Sequence, residues 1–190
     1  MRVIAGKYGS RPLASLKGLA LRPTSDRLRE TLFNILGAAI EGAVFVDAYA
    51  GTGAVGIEAL SRGAAQAYFI EKHRAGVALI HKNLKSLDAE RRAEVLTMDA
   101  VRGLEMLQAR GLRADFVFAD PPYDQIEESS RTLEFLGASE MLAEGARVIV
   151  EMRRSGKKRI ELPERTGELR KIRVVEQGDA ALTFYGITHR

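Results

Sequence analysis

Val44-Phe45-Val46-Asp47-Ala48-Tyr49-Ala50-Gly51-Thr52-Gly53-Ala54-Val55-Gly56 is the stretch that decides the fold. An apolar run ends in an acid, a glycine-rich turn follows, and an apolar helical pattern begins. Gly51, Gly53 and Gly56 keep the G-x-G-x-x-G spacing. Those glycines permit a tight turn, close backbone approach to a ligand and close packing of helix on strand. Glu71 ends the next strand pattern, 20 residues after Gly51, where an acid can take ribose hydroxyls. Strand, turn, helix and acid together predict a nucleotide-like ligand at the carboxyl edge of a parallel sheet.

Outward from this loop, short apolar strands alternate with amphipathic helices. Strands are predicted at 43–48, 66–71, 94–98, 114–119 and 146–151, and helices near 54–62, 73–87, 100–110 and 127–137. Such alternation means a parallel sheet covered on both faces. Past Arg154 the helical period stops. Strands at 169–176 and 180–187, joined through Gln177-Gly178-Asp179, would close the sheet as an antiparallel hairpin and bring it to seven strands. Upstream, residues 3–13 predict a short hairpin turning near Gly9-Ser10. Arg22-Pro23-Thr24-Ser25-Asp26 then supplies a proline, hydroxyl caps and an acidic first turn for a helix over 25–39. Leu28, Leu32, Ile35, Leu36 and Ala39 form its apolar stripe, with Arg27 and Arg29 off it. The 190 residues carry no repeat or linker, so one domain is expected, 1–190, with 1–40 as an extension and 41–190 as the core.

With 46% hydrophobic and 28% charged residues the chain reads as globular and soluble. No apolar run approaches the ~18–20 residues that span a bilayer, and Met1–Lys7 is no signal peptide, so a cytoplasmic protein without a membrane partner is expected. The absence of cysteine excludes disulfide scaffolds, thiolate metal sites and thiolate nucleophiles. Three histidines, His73, His81 and His189, make no metal centre, and none is expected. The net charge of +4 divides unevenly: residues 1–29 carry +6, 30–152 carry −7, 153–173 carry +6 and the last 17 carry −1. An acidic core between basic segments suits a polyanion gripped at the edges of a chemical site, and it also suits solvated charge on loops.

Asp47 sharpens the choice of ligand. A carboxylate at the end of the first strand would repel a pyrophosphate and attract a cation. S-adenosylmethionine carries an ammonium, a sulfonium and a ribose that Glu71 can hold, so Asp47-x-Tyr49-x-Gly51-x-Gly53 favours a methyl donor over a nicotinamide cofactor. Asp99, after the third strand and beside Ala100, either meets the adenine amino group or caps a helix.

The fourth strand runs directly into Asp120-Pro121-Pro122-Tyr123. Two prolines cannot extend the ladder and stiffen the backbone, fixing the Asp120 carboxylate and the Pro121 carbonyl at the sheet edge. An exocyclic ring amine needs such acceptors. Its lone pair is delocalised into the ring, and two acceptors on its hydrogens localise that pair and offset the developing charge. Tyr123 can stack on a flipped-out base. These residues point to amine N-methylation.

Arg22–Arg27, Leu32-Phe33-Asn34-Ile35-Leu36, the Asp47–Gly53 loop, Glu71-Lys72, Asp99-Ala100, Asp120–Tyr123 and Gly178–Tyr185 together resemble the RsmD family of bacterial small-subunit ribosomal RNA guanine-N2 methyltransferases. The resemblance covers essentially the whole chain. It implies a class I S-adenosylmethionine-dependent methyltransferase fold, a Rossmann-like, mostly parallel α/β sheet of seven strands with an N-terminal hairpin and helix. It implies that Asp47, Tyr49, Gly51, Gly53, Glu71, Lys72, Asp99 and Ala100, with Thr24, serve the donor, and that Asp120, Pro121, Pro122 and Tyr123 handle guanine N2 of 16S rRNA. The partner implied is an assembled or assembling small ribosomal subunit, met by a monomer. Met98 and His73 stand where a glycine and an aspartate are usual.

The basic flanks would then hold RNA phosphates through Lys7, Arg11, Arg22, Arg27 and Arg29 at one end and Arg153, Arg154, Lys157 and Lys158 at the other. Arg22 and Thr24 can serve donor or RNA equally. Three rivals stay open: an adenine-N6 amino-methyltransferase acting on DNA or RNA, an oxidoreductase using a nicotinamide, and a non-catalytic RNA-binding module. The second leaves Asp47 and the Asp120–Tyr123 motif without a purpose.

Overall fold

The computed structural model describes residues 1–15, 24–122, 126–153 and 161–187. The chain forms two compact units, Met1–Ala100 and Val101–Arg190.

In the first unit, Ser25 caps α1 (Asp26–Leu36), its hydroxyl accepting the Leu28 N–H at 3.2 Å. Gly37, at φ 55°, ends the helix and sends its N–H to the Phe33 carbonyl. One 3₁₀ turn, Gly37–Ile40, continues to the expected end. The buried face differs from the predicted stripe. It holds Leu28, Arg29, Leu32, Phe33 and Leu36, while Ala39 is exposed.

Three parallel strands follow, β1 (Val44–Asp47), β2 (Gln66–Ile70) and β3 (Ala93–Leu96), in the order β3-β2-β1. Between them run α2 (Ala54–Ser61) and α3 (Arg74–Ser86). Every residue of α2 is buried, which explains its nearly unbroken run of small and apolar side chains. Ile57 and Leu60 of α2 pack with Phe69 of β2 and Ile80 and Leu84 of α3, and Val3, Tyr8 and Leu13 complete the same core.

The N-terminal arm, residues 1–15, reverses direction as expected but makes a single bridge, Arg2 to Pro12, instead of paired strands. Pro12 has no N–H to extend a ladder, and beside its own bonds, such as Val3 N–H to the Arg11 carbonyl and Leu13 N–H to the Met1 carbonyl, the arm takes hydrogen bonds from α2. The buried Glu58 carboxylate accepts the Ile4 N–H at 2.7 Å and the Ala5 N–H at 3.0 Å, and Arg62 Nε closes on it at 2.8 Å. The Ser61 hydroxyl accepts the Tyr8 N–H at 2.9 Å. From the far side, the Arg92 guanidinium donates to the carbonyls of Leu60 and Ala64 and to the Tyr8 hydroxyl.

α4 (Ala100–Ala109) leads into the second unit. There β4 (Ala114–Ala119), α5 (Ile126–Ala138), β5 (Leu142–Arg153), β6 (Arg165–Thr166), β7 (Leu169–Gln177) and β8 (Ala180–Ile187) follow. The order is β4-β5-β8-β7-β6, parallel between β4 and β5 and antiparallel beyond. The fold is thus α/β, with antiparallel strands at the C-terminal end. Two-residue β6 raises the described strands to eight, one more than the pattern predicts. It forms where the chain turns back at Gly167, whose backbone lies against Gly137 of α5 so closely that a Cβ on either glycine would overlap the other segment. Glu168 N–H donates to the Gly137 carbonyl at 2.9 Å in the same place.

Candidate nucleotide-binding and catalytic site

The glycine loop leaves β1 at Asp47 and enters α2 at Gly53, which takes the left-handed conformation, φ 78°, that a side chain would strain. The Gly53 N–H turns back to the Ala50 carbonyl at 2.7 Å, and the Ala50 N–H reaches the Ile70 carbonyl at 2.9 Å. Glu71, just past β2, holds the loop from the side. Its Oε2 accepts the Gly51 N–H at 2.8 Å and its Oε1 accepts the His73 N–H at 2.7 Å, at the start of α3. Each oxygen retains acceptor capacity beyond these bonds. A Cβ built on Gly51 meets nothing within 4 Å, so the turn itself has open space on that side.

Asp47 is buried beneath the loop, and its Oδ2 accepts the Gly56 N–H at 3.0 Å. Burial pushes its carboxyl up to about 7; the Gly56 hydrogen bond opposes the rise and the neighbouring Glu71 charge adds to it. A cation placed against Asp47 would relieve that penalty, whereas a phosphate would deepen it.

Two residues essential to this geometry escape a motif search. Gly76 lets α3 lie against the loop: a Cβ there would come within 2.8 Å of both the Glu71 Cγ and the Gly51 carbonyl oxygen. Asn83, buried on α3, donates to the Thr52 carbonyl between the two glycines. Their seven-residue spacing puts them on one face of α3, but nothing local marks that face as the one toward the loop.

The other predicted residues fall as follows. Tyr49 is half-buried, Lys72 is exposed, and Thr24 is buried just before α1. Asp99 is exposed immediately ahead of α4, and Ala100 is its buried first residue. Asp120 is half-buried directly after β4, Pro121 is buried and Pro122 exposed. Tyr123, Arg22, Arg154, Lys157 and Lys158 lie outside the described residues, as does the side chain of Arg153. Lys7, Arg11 and Arg27 are exposed, and Arg11 also donates to the Ser86 carbonyl at 2.8 Å.

Arg29 corrects the expectation of a phosphate contact. Its side chain is fully buried, donating to the Arg2 carbonyl at 2.6 Å and to Asp26 at 3.0 Å, so no phosphate can reach it. Burial lowers its pKa from the ordinary arginine value, and Glu58 and Asp26 oppose that fall. Among the described residues no group of three acids or histidines is placed to hold a metal ion, and no helix is long and apolar enough to cross a membrane.

Solved structures of methyltransferases share this architecture. The Escherichia coli protein yhhF superposes with a TM-score of 0.82 at 32% identity, covering 100% of this chain and 99% of its own. SMU.776, solved in complex with SAH, matches in fold at a TM-score of 0.61 and 14% identity, over 85% of this chain and 48% of that one. The fold is that of the S-adenosylmethionine-dependent methyltransferases. A family described as conserved hypothetical protein 95 matches residues 1–186, and ribosomal RNA small subunit methyltransferase D of E. coli K12 is 41% identical over 153 residues, 80% of this chain and 74% of its own. The chain belongs to this family, the RsmD family.

Proposed function

We propose that this protein is an S-adenosylmethionine-dependent ribosomal RNA methyltransferase, acting on the exocyclic N2 of a specific guanine in 16S rRNA. The observation that carries the donor half is the Glu71 carboxylate, bonded to the Gly51 and His73 amides at the glycine loop with acceptor capacity to spare. The relative named ribosomal RNA small subunit methyltransferase D supports the RNA half.

Glu71 takes the donor's ribose hydroxyls, Asp47 faces its ammonium, and Asp99 with Ala100 receives its adenine, with Tyr49, Gly53, Lys72 and Thr24 around them. The donor supplies a methyl group on a sulfonium centre. The Asp120 carboxylate and the Pro121 carbonyl accept the two amine hydrogens of the flipped guanine, Pro122 stiffens that turn, and Tyr123 stacks on the base. Localising the amine lone pair lets N2 form its new bond to carbon as the bond to sulfur breaks, and Asp120 or solvent takes the proton. Catalysis comes chiefly from placing the amine about 3–3.5 Å from the methyl carbon. One domain, 1–190, carries both tasks as a monomer in the cytoplasm, and the small subunit, whole or assembling, is its partner. Lys7, Arg11 and Arg27, with Arg22, Arg153, Arg154, Lys157 and Lys158, hold RNA phosphates.

Transfer of labelled methyl to unmodified small subunits and to naked 16S rRNA, followed by nucleoside analysis, tests this directly. N2-methylguanosine is expected. N6-methyladenosine would keep the amine chemistry and overturn the base assignment, and no transfer to either RNA would overturn the reading.

A further inference from the structure

Asn83 lies on α3 with 1% of its surface exposed, and its carboxamide sits between two backbone segments. Oδ1 accepts the Ala14 N–H at 2.7 Å, and Nδ2 donates to the Ala14 carbonyl at 3.2 Å. One side chain thereby pairs both polar groups of Ala14, as a neighbouring strand would. The same Nδ2 donates to the Thr52 carbonyl at 3.1 Å. That carbonyl shares one planar peptide unit with the Gly53 N–H, which is bonded to Ala50. Asn83 and Ala50 therefore hold the two edges of the same peptide, in the middle of the glycine turn. Met1 reinforces the link, its sulfur 3.7 Å from the Thr52 hydroxyl.

We propose that Asn83 is a positioning residue that clamps the glycine loop to the N-terminal arm, so that the two hold or loosen together. The proposal rests on the donor reading given above. Without the carboxamide, Ala14 loses the partner of its N–H and of its carbonyl, and the Thr52 carbonyl is released, so the turn peptide can rotate away from the donor. Because coupling between sites is reciprocal, a donor that tightens the loop also tightens the arm carrying Lys7 and Arg11, and RNA held by the arm strengthens donor binding by the same factor.

The test compares Asn83→Ala with Ser61→Ala, which drops the side-chain contacts to Tyr8 and Ala5 while the Asn83 bonds to Ala14 and Thr52 still hold arm and loop together. S-adenosylhomocysteine affinity is measured by calorimetry at a temperature where circular dichroism shows both variants folded, and hydrogen exchange is followed at the Gly51 and Gly53 amides without ligand. Asn83→Ala is expected to weaken affinity roughly 3- to 10-fold and to speed exchange at the loop, with Ser61→Ala within about twofold of wild type. Unchanged exchange at Gly51 and Gly53 in Asn83→Ala, or equal losses in both variants, would overturn the proposal. If the wild type fails to bind the ligand while exchange still quickens in Asn83→Ala, the donor reading falls and the clamp stands.

Discussion

Glu71 and Gly51 are joined by a 2.8 Å hydrogen bond from the glycine amide to the carboxylate Oε2, across 20 residues of sequence. The bond ties the end of β2 to the turn after β1, so the carboxylate proposed for the donor ribose also sets the shape of the donor loop. Binding and loop geometry are properties of one side chain here.

Gly76 guards that bond. A Cβ at this position would lie 2.8 Å from both partners' segments, the Glu71 Cγ and the Gly51 carbonyl oxygen. Gly76→Ala should destabilise the protein by roughly 1–3 kcal/mol and weaken S-adenosylhomocysteine binding in parallel. Urea unfolding and calorimetry read the two effects, and a variant with wild-type affinity would separate Glu71 from the donor.

Asp47 gives the protein a pH dependence of definite sign. Its folded-state pKa, raised from 3.8 to about 7, means the folded chain keeps a proton that the unfolded chain has lost. This contribution to stability is greatest below about pH 4 and falls as the pH rises through 7. Asp47→Asn should therefore gain stability relative to wild type across that window, read as the difference in urea midpoints. An ammonium beside Asp47 favours the charged form, so ligand affinity in the wild type should rise over the same range and stay flat in the variant.

Asp120 follows β4 directly, held at a proline pair. Asp120→Ala should lower methyl transfer by about 10²-fold or more while leaving S-adenosylhomocysteine affinity within about twofold. Single-turnover transfer and calorimetry on one preparation decide it, and unchanged turnover would remove Asp120 from the chemistry.

Exposed and buried basic residues should part company in salt. Lys7→Ala is expected to reduce the slope of log affinity for RNA against log salt by about 1 without altering stability. Arg29→Ala should leave the slope alone and cost about 3 kcal/mol in unfolding, because it empties a buried site and strips partners from Arg2 and Asp26.

The alternation of strand and helix was legible because burial on both faces writes long apolar runs at two different periods, and most predicted elements lie within a few residues of the observed ones. The glycine loop was legible because turn, strand and acid agree. Arg29 misled because a charged side chain off an apolar stripe reads as solvent-facing, whereas the Arg2 carbonyl and Asp26 let this one turn inward. Glu58, Ser61 and Asn83 carried no signal for a related reason. A buried polar residue is identified by its partner, and theirs are backbone groups of a distant arm that no local pattern reveals. β6 is too short to show a period.

Several hydrogen bonds of the N-terminal arm reach across 53 to 84 residues, from Ala5 to Glu58, Ala14 to Asn83 and Tyr8 to Arg92. The arm is therefore made well before the partners on α2, α3 and at Arg92 that it needs in order to settle. The arm must wait, with Val3, Tyr8 and Leu13 uncovered, until the chain has grown past Arg92. Contacts of such long range close slowly, which favours docking of the arm after the strands and helices it covers have assembled.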